Sequence, residues 1–391
     1  MLYQRLIRWF RPQSAETKQS AAAPLIAFNA HGQPVWTPRN YTALAKEGFM
    51  RNPVAYRCVR MIAESAASIP FTLREGETEL DTHPLLDLLK KPNPAMSGTE
   101  VFEDWYSYLQ IAGNAYFEAV ALDDEIRELY VLRPDRIKVI PGPEGWPSAY
   151  EYSAGGRSIR FAQETQNGVS PIYHMALFHP DNDHYGLSPL EAAACAIDIH
   201  NAAGAWNKAL LDNSARPSGA LVYQGREGGG NLSADQFNRL KTELENAFQG
   251  MDNAGRPMLL EGGLDWKSMG YSPREMDFID AKHTAARDIA LAFGVPPMLL
   301  GIPGDNTFSN YAEANRNFWR QTILPLVAKT AMALGNWLAP AFGGDLQLGF
   351  NPDRIEALSL EREALWKRIA AADFLTPDEK RSAVGYGPLD E

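Results

Sequence analysis

The stretch AARDIALAFGVPPMLLGIPGDNTFSNYAEANRNFWRQTILP (285–325) decides the fold. It reads as helix, hard stop, polar loop, helix. Ile289, Ala290 and Phe293 continue an apolar stripe at helical spacing that begins at Met276 and Ile279. Gly294 tolerates a left-handed cap and Pro296-Pro297 cannot extend a helix, so the stripe ends there. Gly301–Asn310 has no period and is rich in Gly, Asp, Asn, Ser and Thr, which is loop composition. The next helix carries Tyr311, Phe318, Trp319 and Ile323, and Pro325 is expected to kink or interrupt it. A polar loop suspended between two long helices presents backbone at a defined place, to a ligand or a partner.

Two matching helix starts lie upstream. Ser188-Pro189-Leu190-Glu191 and Ser272-Pro273-Arg274-Glu275 each place Ser at the N-cap, Pro at the first helical position and Glu where it closes a capping box. Each opens a helix expected to run roughly 20–25 residues. The first is rich in alanine (192, 193, 194, 196, 202, 203, 205, 209), which permits close helix–helix approach. Between them lies a small α/β piece. GALVYQ (219–224) and PMLLEG (257–262) read as strands, and Ser233–Gln249 reads as a capped helix ended by Gly250.

Nearer the N-terminus, helices are expected near 52–68 and from Thr99 to Ala112, the latter introduced by the capping box Ser97-x-x-Glu100. Strand patterns dominate from 115 to 178, with Asp123-Asp124 and Gly155-Gly156 at the hairpin turns. Helices at 359–372 and 377–384 close the chain, the second behind the box Thr376-Pro377-x-Glu379. The fold class is α+β. Residues 1–12 form a short basic amphipathic segment, and 13–40 read as an extended linker rich in Ala, Ser, Pro and Gln.

Composition excludes several functions. A chain of 391 residues with 45% hydrophobic residues holds ample core. No window reaches 18 consecutive apolar residues, so no membrane span is expected, and MLYQRLIRWFRP lacks the pattern of a signal peptide. Synthesis in the cytoplasm follows. Cys58 and Cys195 are too few for a metal site and read as buried free thiols. Residues 1–40 carry five basic groups (Arg5, Arg8, Arg11, Lys18, Arg39) against Glu16, so the rest of a chain with net charge −11 stands at −15. An acidic body argues against a tight phosphate clamp and is compatible with a conduit in which a polyanion slides.

The search for chemistry returns little. There is no phosphate-cradling GxxxxGK[ST], no GxSxG elbow, no HExxH and no dinucleotide fingerprint, so no cofactor is expected. The densest enzyme-like cluster is His174, His179, Asp181, Asp183 and His184, which a metal-dependent hydrolase would need. A His spacing of five fits neither a helix face nor a strand face, and Pro180 and Gly186 mark a loop. The cluster reads as hydrogen-bonded loop residues rather than a metal site. Arg133, Arg136 and Lys138 read as exposed strand residues, and Trp105, Tyr106 and Tyr108 as core rather than a base-stacking platform.

The wording of the chain resembles the portal proteins of tailed double-stranded DNA phages. IALAFGVPPMLLG (289–301), DNTFSN (305–310) and FWRQTILP (318–325) carry the likeness. NPVAYRCVRMIAESAASIPFTL (52–73), HPLLDLLKKPNP (83–94), ELYVLRPDRIKVI (128–140), YGLSPLEAA (185–193), NSARPSGALVY (213–223) and LLEGGLDWKSM (259–269) follow in the family's order. Each phrase alone is weak, whereas their ordered succession is specific.

The resemblance implies a non-enzymatic ring, most often of twelve subunits, at one capsid vertex of a lytic phage, a prophage or a gene transfer agent. Double-stranded DNA would pass nonspecifically. The terminase large subunit, a head–tail adaptor and the major capsid protein would be partners, and no membrane. It divides the chain into a basic arm (1–40), a wing (41–186 and part of 299–350), stem helices (187–215 and 272–298) around a clip (216–271), and a short crown (351–391). Ala194, Ala203, Ile279 and Ala286 are expected to pack the stem helices against each other and against neighbouring copies. Gly301, Ile302, Asp305, Asn306, Thr307, Phe308 and Ser309 would form a loop facing the DNA, with Ile302, Thr307 and Phe308 setting the aperture.

Overall fold

The computed structural model describes residues 36–391 except 77, 124, 164–167, 213–218, 224–232, 234, 237, 240–241, 243–263, 269–277, 304–307, 344 and 388–391. The chain divides into two units, Trp36–Leu210 with Tyr271–Glu391, and Leu211–Gly270 with Met1–Val35. The reading of residues 1–35 as an arm lies outside the described residues.

In the larger unit, α1 (Tyr41–Leu44) runs into a π-turn (Ala45–Met50), followed by α2 (Pro53–Ala67). The Asn52 side chain caps α2 by accepting from the amides of Val54 and Ala55, with Pro53 at the first helical position. The hairpin β1 (Phe71–Glu75) and β2 (Thr78–Leu80), then α3 (Pro84–Lys90) and α4 (Gly98–Ala112), come next. The expected box at Ser97 and Glu100 is present in both directions, and Gly113 closes α4 in the left-handed conformation.

Six strands fill the expected β region: β3 (Asn114–Leu122), β4 (Glu125–Leu132), β5 (Ile137–Pro141), β6 (Pro147–Ala154), β7 (Arg157–Ala162) and β8 (Ile172–Ala176). They make two antiparallel sheets, β4-β3-β8 and β5-β6-β7. Asp123 and the pair Gly155-Gly156 take positive φ at the turns, as two-residue hairpins require.

Next are α5 (Pro189–Ala192) and α6 (Ala194–Asp212). Ser188 caps α5 by accepting from the Glu191 amide at 2.9 Å. The single helix expected from 188 is therefore broken at Ala193, whose amide turns back onto Glu191 and Pro189 in a tightened turn.

The smaller unit shows one antiparallel pair, β9 (Gly219–Tyr223) with β10 (Leu264–Ser268). The strand expected at 257–262 lies outside the described residues. Within the expected Ser233–Gln249 helix, Ser233 accepts from the Gln236 amide as an N-cap.

The larger unit resumes with α7 (Phe278–Ala292), α8 (Phe308–Phe318), a π-turn (Trp319–Ile323) and α9 (Leu324–Phe342). The Ser272 box lies outside the described residues. Pro325 interrupts as expected, and the wider π-turn beside it accommodates the missing N–H donor. Strand β11 (Leu346–Phe350) returns to β1 in the sheet β11-β1-β2, and α10 (Ser359–Ala370) and α11 (Pro377–Ala383) end the chain. The Thr376–Glu379 box is complete.

One main core joins α2, α4, the β3 sheet and α9. Trp105 and Tyr106 are fully buried, and Trp105 stacks on Phe117 at 4.2 Å, so these aromatics are core. Cys58 is buried as expected. Cys195 is exposed, because it lies on the outer face of α6. No described helix is long and apolar enough to cross a membrane.

Candidate functional site

The loop between α7 and α8 is built from its stem upward. Gly294 adopts φ +66 and lets the Val295 amide return to the Ala290 carbonyl at 2.9 Å. Thr322 Oγ1, in the π-turn, donates to the Gly294 carbonyl at 2.6 Å and ties the end of α7 to the following helix. Pro296 leads into a 3₁₀ turn at Pro297–Leu300, and Gly301 ends it at φ +71. Both prolines therefore do what their chemistry requires: they stop one helix and fix the exit direction.

Beyond Gly301 the structure changes two expectations. Ile302 is only 8% exposed and clusters with Ala286 and Ala290 of α7, while its amide donates to Pro297 at 3.2 Å. It anchors the loop and does not line an aperture. Arg287 pins the next residue by donating to the Pro303 carbonyl. Helix α8 starts at Phe308, so Phe308 and Ser309 have helical backbone rather than loop backbone. Local propensity alone could not settle that boundary. Asp305, Asn306 and Thr307 lie outside the described residues, as do the side chains of Phe308 and Ser309.

The helix-packing residues also divide. Ala194, Ala203 and Ala286 are buried within the subunit, whereas Ile279 is 63% exposed. The physical reason for the correction is the position of α6 against the core: Ala193, Ala194, Ile197, His200 and Ala203 face inward. Asn52 helps hold that orientation, bonding His200 Nδ1 at 3.2 Å and Asn201 Oδ1 at 3.0 Å. The opposite face carries Cys195, Ile199, Ala202 and Ala205, all exposed, with the half-buried Asp198 among them. Their spacing is that of one helix face, so the outward side of α6 is largely apolar with one charge, which Thr37 engages. On α7, Ala281, Thr284 and Leu291 are also exposed.

The histidine cluster is dispersed into structural roles. His174 lies in β8, not in the loop, and stacks on Tyr116 at 4.2 Å. Its Nε2 donates to Asn114 Oδ1 at 3.0 Å, because that oxygen already accepts from the Gly186 amide while Asn114 Nδ2 donates to Ala112. Burial, reinforced by His184, lowers its pKa to about 4. His179 Nδ1 accepts from the Asp181 amide, and Asn182 accepts from those of His184 and Tyr185. Among the described residues no group of three or more His, Cys, Asp or Glu is placed to hold a metal ion. Nothing supports the hydrolase reading.

The fold is mixed helix and sheet, with a loop pinned at the end of α7 and a largely apolar outward face on α6. The phage portal protein family matches residues 53–385, and the chain belongs to that family. In the solved neck of an empty gene transfer agent particle, computed with C6 symmetry, one chain is 51% identical, with 92% of this chain and 96% of that chain covered and a TM-score of 0.72. A native neck computed with C12 symmetry gives 51% identity over the same shares and 0.70. The portal protein of Enterobacteria phage HK97 is 24% identical over 89% of this chain and 82% of its own.

Proposed function

We propose that the chain is the portal subunit of a tailed, DNA-carrying particle, assembled as a ring at one capsid vertex. The single observation that carries this is the family match over residues 53–385, and the largely apolar outward face of α6 supports it. A cyclic ring joins unlike faces of neighbouring copies, and an exposed, largely apolar helix face suits such a partner. The likeness to particle necks computed with C6 and C12 symmetry supports a ring of twelve, and the 51% identity favours a gene transfer agent or a close relative.

In this reading α6 and α7 are the stem helices, residues 216–271 are the clip, α10 and α11 are the crown, and the remaining elements make the wing. Double-stranded DNA passes the loop at 303–307. Asp305 is the only charge between Gly301 and Asn310, so contact there is steric and nonspecific rather than a phosphate clamp. The terminase large subunit, a head–tail adaptor and the major capsid protein dock on the ring. The role is architectural, and the energy for packaging comes from another protein. Deleting Thr307–Ser309 tests the loop: rings should persist while the amount of DNA packaged or retained changes. Wild-type packaging and retention would reduce the loop to a connector.

A further inference from the structure

Among the described residues, one edge of strand β11 carries no partner strand. Among them it pairs only with β1, in five unshifted register pairs from Phe71↔Phe350 to Glu75↔Leu346. Its sequence, LQLGF, contains no Lys, no Pro and no bulge, the usual devices that keep an edge from pairing. Beside it runs a groove of about 590 Å³, walled on the other side by Ala328, Met332, Gly335 and Asn336 of α9. Met332 is 67% exposed there. Unpaired backbone along one wall and small or apolar side chains along the other make a seat for an extended strand.

We propose that the segment Leu25–Phe28 of a neighbouring copy adds to β11 as an extra strand, clasping adjacent subunits together. The inference rests on the ring reading above. Leu-Ile-Ala-Phe is an uninterrupted apolar run inside a linker otherwise rich in Ala, Ser, Pro and Gln, and Ile and Phe favour strands. Ile26 and Phe28 share one strand face, which suits the apolar wall of α9. Residues 29–35 separate Phe28 from Trp36, so the tether spans roughly 26 Å when extended. Thr37 anchors its end, the amide donating to Asp198 of α6 at 2.8 Å. The first 35 residues carry Arg5, Arg8, Arg11 and Lys18 against Glu16, in a chain of net charge −11, so this part of the chain and an acidic body attract each other.

The test uses rings of the full chain carrying Cys195→Ser, Ile26→Cys and Met332→Cys, treated with a short bismaleimide. A ladder of covalent dimers and higher multimers is expected, with controls that carry only one of the two introduced cysteines, beside the buried Cys58, staying monomeric. Linkage within one chain, or none, overturns the proposal. Removing residues 2–30 should also raise the maleimide labelling rate of Met332→Cys several-fold, and an unchanged rate overturns it too. Rings that form but do not link sink only the clasp. Failure to form rings at all sinks the portal reading with it.

Discussion

Gly113 and Gly186 meet backbone to backbone: a Cβ built on Gly186 would stand 2.2 Å from the Gly113 carbonyl oxygen. This crossing joins the end of α4 to the segment leading into α5, and Asn114 bonds both sides of it. Gly186→Ala should therefore destabilise the subunit by about 2 kcal/mol or more, since backbone cannot yield as a side-chain tip does. Gly113→Ala adds the strain of φ +71 to a similar clash. Chemical denaturation of the two variants checks this, and wild-type midpoints would show that the crossing relaxes freely.

The anchor of the loop makes a second prediction. Ile302→Ala removes the side chain that seals the Ala286 and Ala290 cluster and should cost about 2 kcal/mol. Arg287→Ala loses only an exposed hydrogen bond to Pro303 and should cost less. Thermal unfolding ranks the two, and the reverse order would contradict the anchoring role of Ile302.

Acid should weaken the fold through His174. Its native pKa of about 4 lies below the ordinary 6.5, so protons bind the unfolded chain more readily. The contribution is fully present above pH 6.5 and is lost as pH falls toward 4, by about 3 kcal/mol at most. His200 shifts in the same direction, chiefly through burial. Replacing His174 with Gln should flatten the fall in stability between pH 6.5 and 4, and an unchanged slope would assign that fall to other groups.

Adjacent alanines on α6 should behave oppositely. Ala203 is buried, so Ala203→Arg places a charge in the core and should leave little folded protein. Ala202 is exposed, so Ala202→Arg should fold normally yet fail to form rings. Circular dichroism with size-exclusion chromatography separates the outcomes, and rings from Ala202→Arg would remove that face from the interface.

Local chemistry made much of this legible. The boxes at Ser97 and Thr376, the turn at Gly155-Gly156 and the stop at Gly294–Pro297 are decided by neighbouring residues, and all appear as read. The faces of α6 are not legible, because alanine occupies both sides and polar residues such as Asp198 and His200 fall on both as well. The expectations that Ala194 and Ala203 meet neighbouring copies and that Cys195 is buried fail there. Ile302 escapes the sequence for a related reason. It sits in a polar, Gly-rich run, and only the path of the chain back over α7 shows that its side chain is covered. The start of α8 at Phe308 was hidden because Thr307, Ser309 and Asn310 suit a loop and a helix start equally well.

The portal assignment itself is tested most directly by electron microscopy of the purified full chain with rotational averaging. The account predicts rings around an open central channel, with twelve-fold averages dominant. A chain that stays a well-folded monomer or small compact oligomer, at every concentration and ionic strength tried, would contradict it.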